Sequence, residues 1–360
     1  MGLRDWISTS YIPILALNGA EMQALEELPS QDKDALLPFI QLKNWFTATT
    51  LEKSLARVTK AYGTRPFIAD VCPVGLDEDP YRPVFRELAA LRDPTDGYSN
   101  WCDFIEVHEK LIPAVQLKQP SQIPSQIVRL AALKRGMAVH VTRQMIGAAE
   151  DLAQILGAAT DKGDDLCFIL DLGRQNEDLL LNEAVTVQLI QRVRKYLPKA
   201  ALCVSASSFP ASFVGVKDQA IFERKHFDGV KATSGEPHLI YSDRGSARAE
   251  KQLGGGGTPA PRIDYAGGLK WDFFRSEPVD RAERPAAYVA QAKKAVKADC
   301  WDTELHVWGH QMIEKTSKNA SDAIKSQQGA AAARINIHLH RQLWHGNTTS
   351  LYDTDEDWSD

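Results

Sequence analysis

Eight short apolar runs, each followed by a helical-looking stretch or a polar turn, occupy the first two-thirds of this chain and leave few folds open to it. They are Tyr11–Leu17, Leu36–Leu42, Pro66–Val71, Ile112–Leu117, Met137–Val141, Leu166–Leu172, Ala201–Ser205 and His238–Tyr241. Most are continuously apolar rather than alternating, which marks strands buried on both faces, as in a parallel sheet. Between them, helices are expected over residues 21–28, 50–62, 83–91, 124–134, 145–156, 182–196 and 211–222. Gly136 follows the fourth of these, where a glycine often ends a helix. Strand–helix alternation implies parallel strands joined by crossovers, and eight such units close as a TIM-like (β/α)8 barrel. The alternative is an open doubly wound parallel sheet, but neither GxGxxG nor GxxxxGK[ST] follows the first strand. Phe104–His108 is also strand-like and competes for the fourth strand position.

The organisation that follows is a barrel over residues 11–250, a Gly-rich loop over 251–268 and a C-terminal extension over 269–350 packed on the barrel. An acidic tail, 351–360, ends the chain and is expected to fray. Two helices are expected in the extension, near 285–297 and 321–333. The four consecutive glycines, Gly254–Gly257, read as a mobile surface loop, or as a lid or anion cradle at the barrel mouth.

A net charge of −5 at pH 7 argues against a broad basic nucleic-acid face while leaving room for a local basic groove. The five cysteines, Cys72, Cys102, Cys167, Cys203 and Cys300, have no CxxC spacing, against a zinc ribbon or disulfide framework. Cys167 and Cys203 lie in apolar runs and read as small buried hydrophobes, in keeping with a reducing compartment. No signal-peptide pattern and no long apolar stretch is present, so a cytoplasmic chain with no membrane partner is expected.

In such barrels chemistry sits at the C-terminal ends of the strands. That rule selects Lys43 after the second strand, Asp70 on the third, His140 and Arg143 on the fifth, and Asp171 and Arg174 on the sixth. It also selects Tyr241, Asp243 and Arg244 on the eighth, with Arg262 beyond the Gly-rich loop. Asp70 and Asp171 interrupt apolar runs, and a carboxylate there is costly unless it is paired or metal-bound. A salt bridge to Lys43 or Arg143 is the plain structural reading of both. His140 is either a satisfied core histidine or a proton carrier. Asp70, His140, Asp171 and Asp243 are the catalytic candidates. Lys43, Arg143, Arg174, Tyr241, Arg244 and Arg262 are the substrate-binding candidates, because arginine forks grip phosphate or carboxylate. Glu106 with His108, and His338 with His340, have the two-residue spacing of ligands on a strand, but neither pair alone makes a metal site. The cofactor is left open, with a divalent cation on the carboxylates as the one candidate named. Trp271, Trp301, Trp308 and Trp344 crowd the C-terminal third, either to pack the extension or to build an interface.

These segments also carry a resemblance. Tyr11–Leu15, Gly19–Glu21, Ala24–Leu25, Leu37–Ile40, Ile112–Val115, Asp171–Gly173, Tyr241–Asp243 and Asn336–His338 together resemble the phage-type beta protein family. The resemblance runs from about Tyr11 to His340 and implies phage- or mobile-element-linked biology, including phage–host conflict, without fixing a reaction. Two readings of function therefore stand. One is a hydrolase acting on a phosphate-containing substrate, a nucleotide or nucleic acid. The other is a non-catalytic binding or regulatory protein that uses the barrel mouth, or the Trp-rich region, to hold a nucleotide, a nucleic acid or a protein partner.

Overall fold

The computed structural model describes residues 3, 5–72, 81–248 and 259–354. Eight parallel strands form the main sheet: β1 (Tyr11–Ala16), β2 (Phe39–Leu42), β3 (Phe67–Val71), β4 (Leu111–Pro113), β5 (Met137–Val141), β6 (Leu166–Arg174), β7 (Ala201–Ser207) and β9 (Leu239–Asp243). Their order is β4-β3-β2-β1-β9-β7-β6-β5. A parallel bridge between Ala114 and Ala138 joins the two ends, with the Val115 amide donating to the Ala138 carbonyl at 2.8 Å. The sheet is thus a nearly closed (β/α)8 barrel with helices around it.

The continuous apolar runs have a simple origin. Neighbouring residues on one strand enter two different cores, because side chains alternate across a strand. Ile14, Phe39, Ile68, Ile112, Ala138, Ile169, Cys203 and Ile240 fill the barrel interior, with Trp6 among them. Leu15, Ile40, Ala69, Val139, Leu170, Val204 and Tyr241 face outward and pack beneath the surrounding helices. Both sets must be apolar, so the alternation disappears from the sequence.

A smaller antiparallel sheet adjoins the barrel: β10 (Arg262–Ala266) pairs with β11 (Lys270–Arg275), and β11 with β8 (Asp218–Ala220). It packs with the helices Arg284–Ala295 and Trp308–Ser317 in a core of its own. The helix Gln327–Leu343 belongs to both cores: Ile335, Leu339 and Leu343 join the barrel side, Ala333 and Ile337 the other. The tryptophans are packing residues: Trp271 is fully buried, Trp301 and Trp308 lie against the second core and Trp344 against the barrel.

Several local expectations are corrected. Phe104–His108 is not a strand; it ends the helix Thr95–Val107, whose buried Tyr98, Trp101, Cys102 and Ile105 follow helical spacing. Glu106 and His108 therefore share no strand face. Residues 211–217 form no helix. The helix is Phe222–Thr233, begun where the Phe222 amide donates to Ser208 Oγ at 3.0 Å, and 218–220 is strand β8. The helix expected at 321–333 is Gln327–Leu343, capped by Ser326 Oγ on the Gly329 amide at 3.1 Å, so His338 and His340 diverge on it. Part of the expected Gly-rich loop is strand β10, while Gly254–Gly257 and residues 355–360 of the tail lie outside the described residues. Among the described residues, no helix is long and apolar enough to cross a membrane.

Candidate functional site

Following the inward-facing series along each strand shows how the site arises. Ile68 leads to Asp70, Ala138 to His140, Ile169 to Asp171, Cys203 to Ser205 and Ile240 to Ser242. The barrel lining turns from apolar to polar in one step at the C-terminal ends.

His140 is the centre. Its Nε2 lies 2.9 Å from Asp171 Oδ2, and its Nδ1 lies 3.9 Å from Asp70 Oδ2. Phe39 packs edge-on against the imidazole at 4.9 Å between centroids. Burial by itself pushes the His140 pKa down, but the hydrogen bond to Asp171 and the nearby Asp70 carboxylate outweigh it and hold the group above its ordinary 6.5. Asp171 is 1% exposed. Burial opposes its ionisation, yet the Arg244 guanidinium and His140 overcome that and hold the carboxyl well below its usual range. Arg244 Nη2 donates to Asp171 Oδ2, and the Gly173 amide donates to Oδ1 at 2.9 Å. Gly173 adopts φ 68°, and Arg143 crowds the position a Cβ would take, so glycine suits this turn.

Asp70 is the accessible member, with its side chain 18% exposed. Its Oδ1 accepts from Gln116 Nε2 and from the Val71 amide, both at 2.8 Å. Ser205 Oγ is buried nearby on β7 with no hydrogen-bond partner, and Arg244 Nε likewise has none.

Glu21, in the first turn after β1, is a member that sequence reasoning missed. Asn18 caps that helix through the Ala20 and Glu21 amides, at 3.1 and 3.2 Å. An acid three residues after a cap is ordinary helix chemistry, which hid it. Yet Glu21 is buried and Oε2 has no partner. Burial raises its pKa to about 7, against the pull of Lys43, Arg244 and Arg334. The same Lys43 and Arg244 act on the Cys72 thiol, beside Asp70. Lys43 is thus half-buried at the mouth, whereas Arg143 and Arg174 are exposed on its rim, with Arg143 Nη1 donating to the Arg174 carbonyl at 2.9 Å.

Asp243 and Tyr241 lie elsewhere. They sit one residue out of phase with Ser242 and face away from the barrel interior. Asp243 is fully buried and accepts from Tyr11 Oη at 2.7 Å, Tyr241 Oη at 2.9 Å, His338 Nε2 at 2.7 Å and the Gly245 amide at 2.8 Å. Tyr241 stacks on Tyr11, and Arg224 lies 3.4 Å over its ring. This cluster pins the Gln327–Leu343 helix to the barrel. His340 does the same through Asp32, with Nδ1 at 2.6 Å from Oδ2. Arg262 sits apart as well, on β10 against Asp264. Among the described residues, no group of three or more His, Cys, Asp or Glu side chains is arranged to hold a metal ion.

A family model for the beta protein matches residues 11–344. The chain belongs to the beta-protein family. A relative, "Protein beta" of Enterobacteria phage P4, is 25% identical over 344 residues, covering 93% of each chain. Every barrel strand and the His140 centre of this beta-family chain fall inside the matched region.

Proposed function

We propose that the barrel mouth is an acid–base site that hydrolyses a phosphate-containing substrate, a nucleotide or nucleic acid. The observation that carries this reading is the His140 imidazole held between two carboxylates, one buried and locked to Arg244, the other open to the mouth. Asp171 accepts from Nε2, fixes the ring and favours the imidazolium, as the orienting acid of a catalytic triad does. Asp70 Oδ2 and His140 Nδ1 then face the mouth together as the pair that moves a proton.

In the step proposed, a water oxygen forms a bond to phosphorus while its proton passes to the Asp70 carboxylate, which the neighbouring His140 imidazolium steadies. The ester P–O bond breaks, and the leaving oxygen receives a proton from Glu21, which burial keeps protonated up to about 7. Lys43 and Arg244, with Arg143 and Arg174 on the rim, supply positive charge where the phosphoryl oxygens gather it. Kinship with a phage protein fits a role in phage or mobile-element biology, including phage–host conflict.

The test is a screen of nucleoside phosphates and short DNA and RNA strands, with and without divalent cations. Activity found should fall by about a hundredfold or more in His140→Gln and in Asp70→Asn, as for loss of a general acid–base group. The alkaline limb of the pH profile should move in Glu21→Gln. Turnover unchanged in both His140→Gln and Asp70→Asn would refute the assignment.

A further inference from the structure

A second cationic cluster, unused by the His140 centre, stands beyond the ends of β7 and β9. Arg262 on β10 and Arg334 on the Gln327–Leu343 helix share one carboxylate: Arg334 Nη1 donates to Asp264 Oδ2 at 2.6 Å, and Arg262 Nε donates to Oδ1. Both guanidinium groups lie over phenylalanine rings. Arg262 is 3.4 Å from the Phe213 centroid, and Arg334 is 4.2 Å from that of Phe209. Arg248 joins them at 5.7 Å from the Phe213 ring, its Nε donating to the Pro210 carbonyl at 3.1 Å.

Two features exceed what a structural ion pair needs. A single fork would satisfy Asp264, yet two arginines converge on it, and the more deeply buried one keeps an unused donor: Arg334 is 6% exposed and its Nε has no partner. Burial first, then the neighbouring Arg262 and Arg248, lower the Arg334 pKa against the pull of Asp264, so positive charge is crowded here. The cluster also adjoins the mouth: Ile335, next to Arg334, lies beside Gly245, the residue after Arg244, and the buried Glu21 carboxyl feels both arginines. Arg174 at the end of β6 likewise acts on Arg248.

We propose that Arg262 and Arg248, set on the half-buried Phe213 and backed by the buried Arg334 and Phe209, form a second subsite that takes a phosphodiester and a stacked base of a single-stranded nucleic acid. The proposal rests on the reading that the mouth accepts a phosphate-containing substrate, and it narrows that substrate to a chain carrying more than one phosphate. The Arg262 side chain keeps 22% exposure although Phe213 covers one face of its guanidinium. Bases of unpaired strands stack on guanidinium planes and aromatic rings, whereas duplex bases are closed to such contact. Crowded guanidinium donors match the phosphate oxygens.

The experiment is fluorescence anisotropy with an end-labelled twelve-residue oligothymidylate, a duplex of the same length and an abasic strand, titrated at several salt concentrations. Wild-type chain should bind the single strand more tightly than either control. Arg262→Gln should weaken it about tenfold and reduce the salt slope by about one, as expected for one lost phosphate contact. Phe213→Leu, which leaves the Arg262–Asp264 pair in place, should weaken the single strand several-fold and leave the abasic strand unchanged. Thermal melts of both variants confirm that they are folded. His140→Gln should bind as wild type, which separates this subsite from the hydrolytic reading: lost turnover with retained binding upholds both. Equal affinity of wild type, Arg262→Gln and Phe213→Leu for the single strand would overturn the subsite even if the His140 centre proves catalytic. Equal affinity of the wild type for the abasic strand would overturn base stacking.

Discussion

Asp171→Asn tests whether the His140 centre is a pre-formed ion network. The native carboxylate is 1% exposed and accepts from His140 Nε2, Arg244 and the Gly173 amide. Asparagine keeps the volume but removes the charge, and it must turn an NH2 or a neutral oxygen toward two donors. Breaking a buried ion pair costs about 3–5 kcal/mol, because the surviving charge is left uncompensated. The Arg244 side chain retains 12% exposure, so water recovers part of that loss, and about 3 kcal/mol is the expected deficit. Unfolding entropy of about 2.1 cal/mol/K per residue, over 360 residues, gives roughly 0.75 kcal/mol/K. The melting temperature should therefore fall by about 4 °C if unfolding is cooperative. The pH dependence has a definite sign. The contribution of Asp171, whose pKa is depressed, is present above its ordinary 3.8 and lost as pH falls through the lowered value. That of His140, whose pKa is raised, is present below 6.5 and lost as pH rises through the raised value. The deficit of the variant should thus be widest between about pH 4 and 6.5, and should narrow on the alkaline side. Calorimetry at acid, neutral and alkaline pH measures it, beside Arg244→Met and the double variant. The double variant should lose at least about 1 kcal/mol less than the sum of the singles. A melting temperature within a degree of wild type at pH 5.5, or strict additivity, would refute the network.

Three further outcomes follow from the same contacts. Glu21→Gln removes a carboxyl whose raised pKa favours folding below 4.5 and loses that advantage as pH rises through about 7; relative to wild type, the variant should gain about 3 kcal/mol across that interval, measured by denaturant titration at pH 5 and pH 8. His338→Leu leaves Asp243 short of a partner in a fully buried cluster and should cost about 2–3 kcal/mol, read by denaturant titration. Gly309→Ala would place a Cβ 2.1 Å from the Ala333 carbonyl oxygen and should cost several kcal/mol, whereas Gly147→Ala meets nothing within 4 Å and should stay within about 0.5 kcal/mol of wild type, both read from chemical melts.

The barrel was legible because its signal is local and repeated. Apolar runs such as Leu166–Leu172 fill two cores at once, and eight of them in a row fit a closed barrel. Asp70, His140 and Asp171 were legible for the complementary reason: each is a polar residue in an apolar run near a strand's C-terminal end. The helix at Phe222–Thr233 was misplaced because Asp218–Ala220 is ordered by β11, some fifty residues later in the chain, which no local pattern reports. Phe104–His108 misled because five residues cannot tell period two from period 3.6; only the longer series through Tyr98, Trp101 and Ile105 decides.

Asp243 and Arg244 show where position along a strand stops being sufficient. Both are polar, both end β9, and the rule that sites sit at strand ends treats them alike. The strand's two-residue period separates them. Ile240 and Ser242 face the interior, so Asp243 faces out, where Tyr11, Tyr241 and His338 close around it. One residue on, Arg244 reaches Asp171 across the mouth. The two roles are physically linked, because Asp243 Oδ1 also accepts from the Gly245 amide at 2.8 Å and so fixes the turn that carries Arg244. A buried helix on the outside of the barrel thereby bears on the geometry of the charge at its mouth. Asp243, one of the acids chosen for its place at a strand end, lies behind the barrel wall and hydrogen-bonds the turn that carries its neighbour.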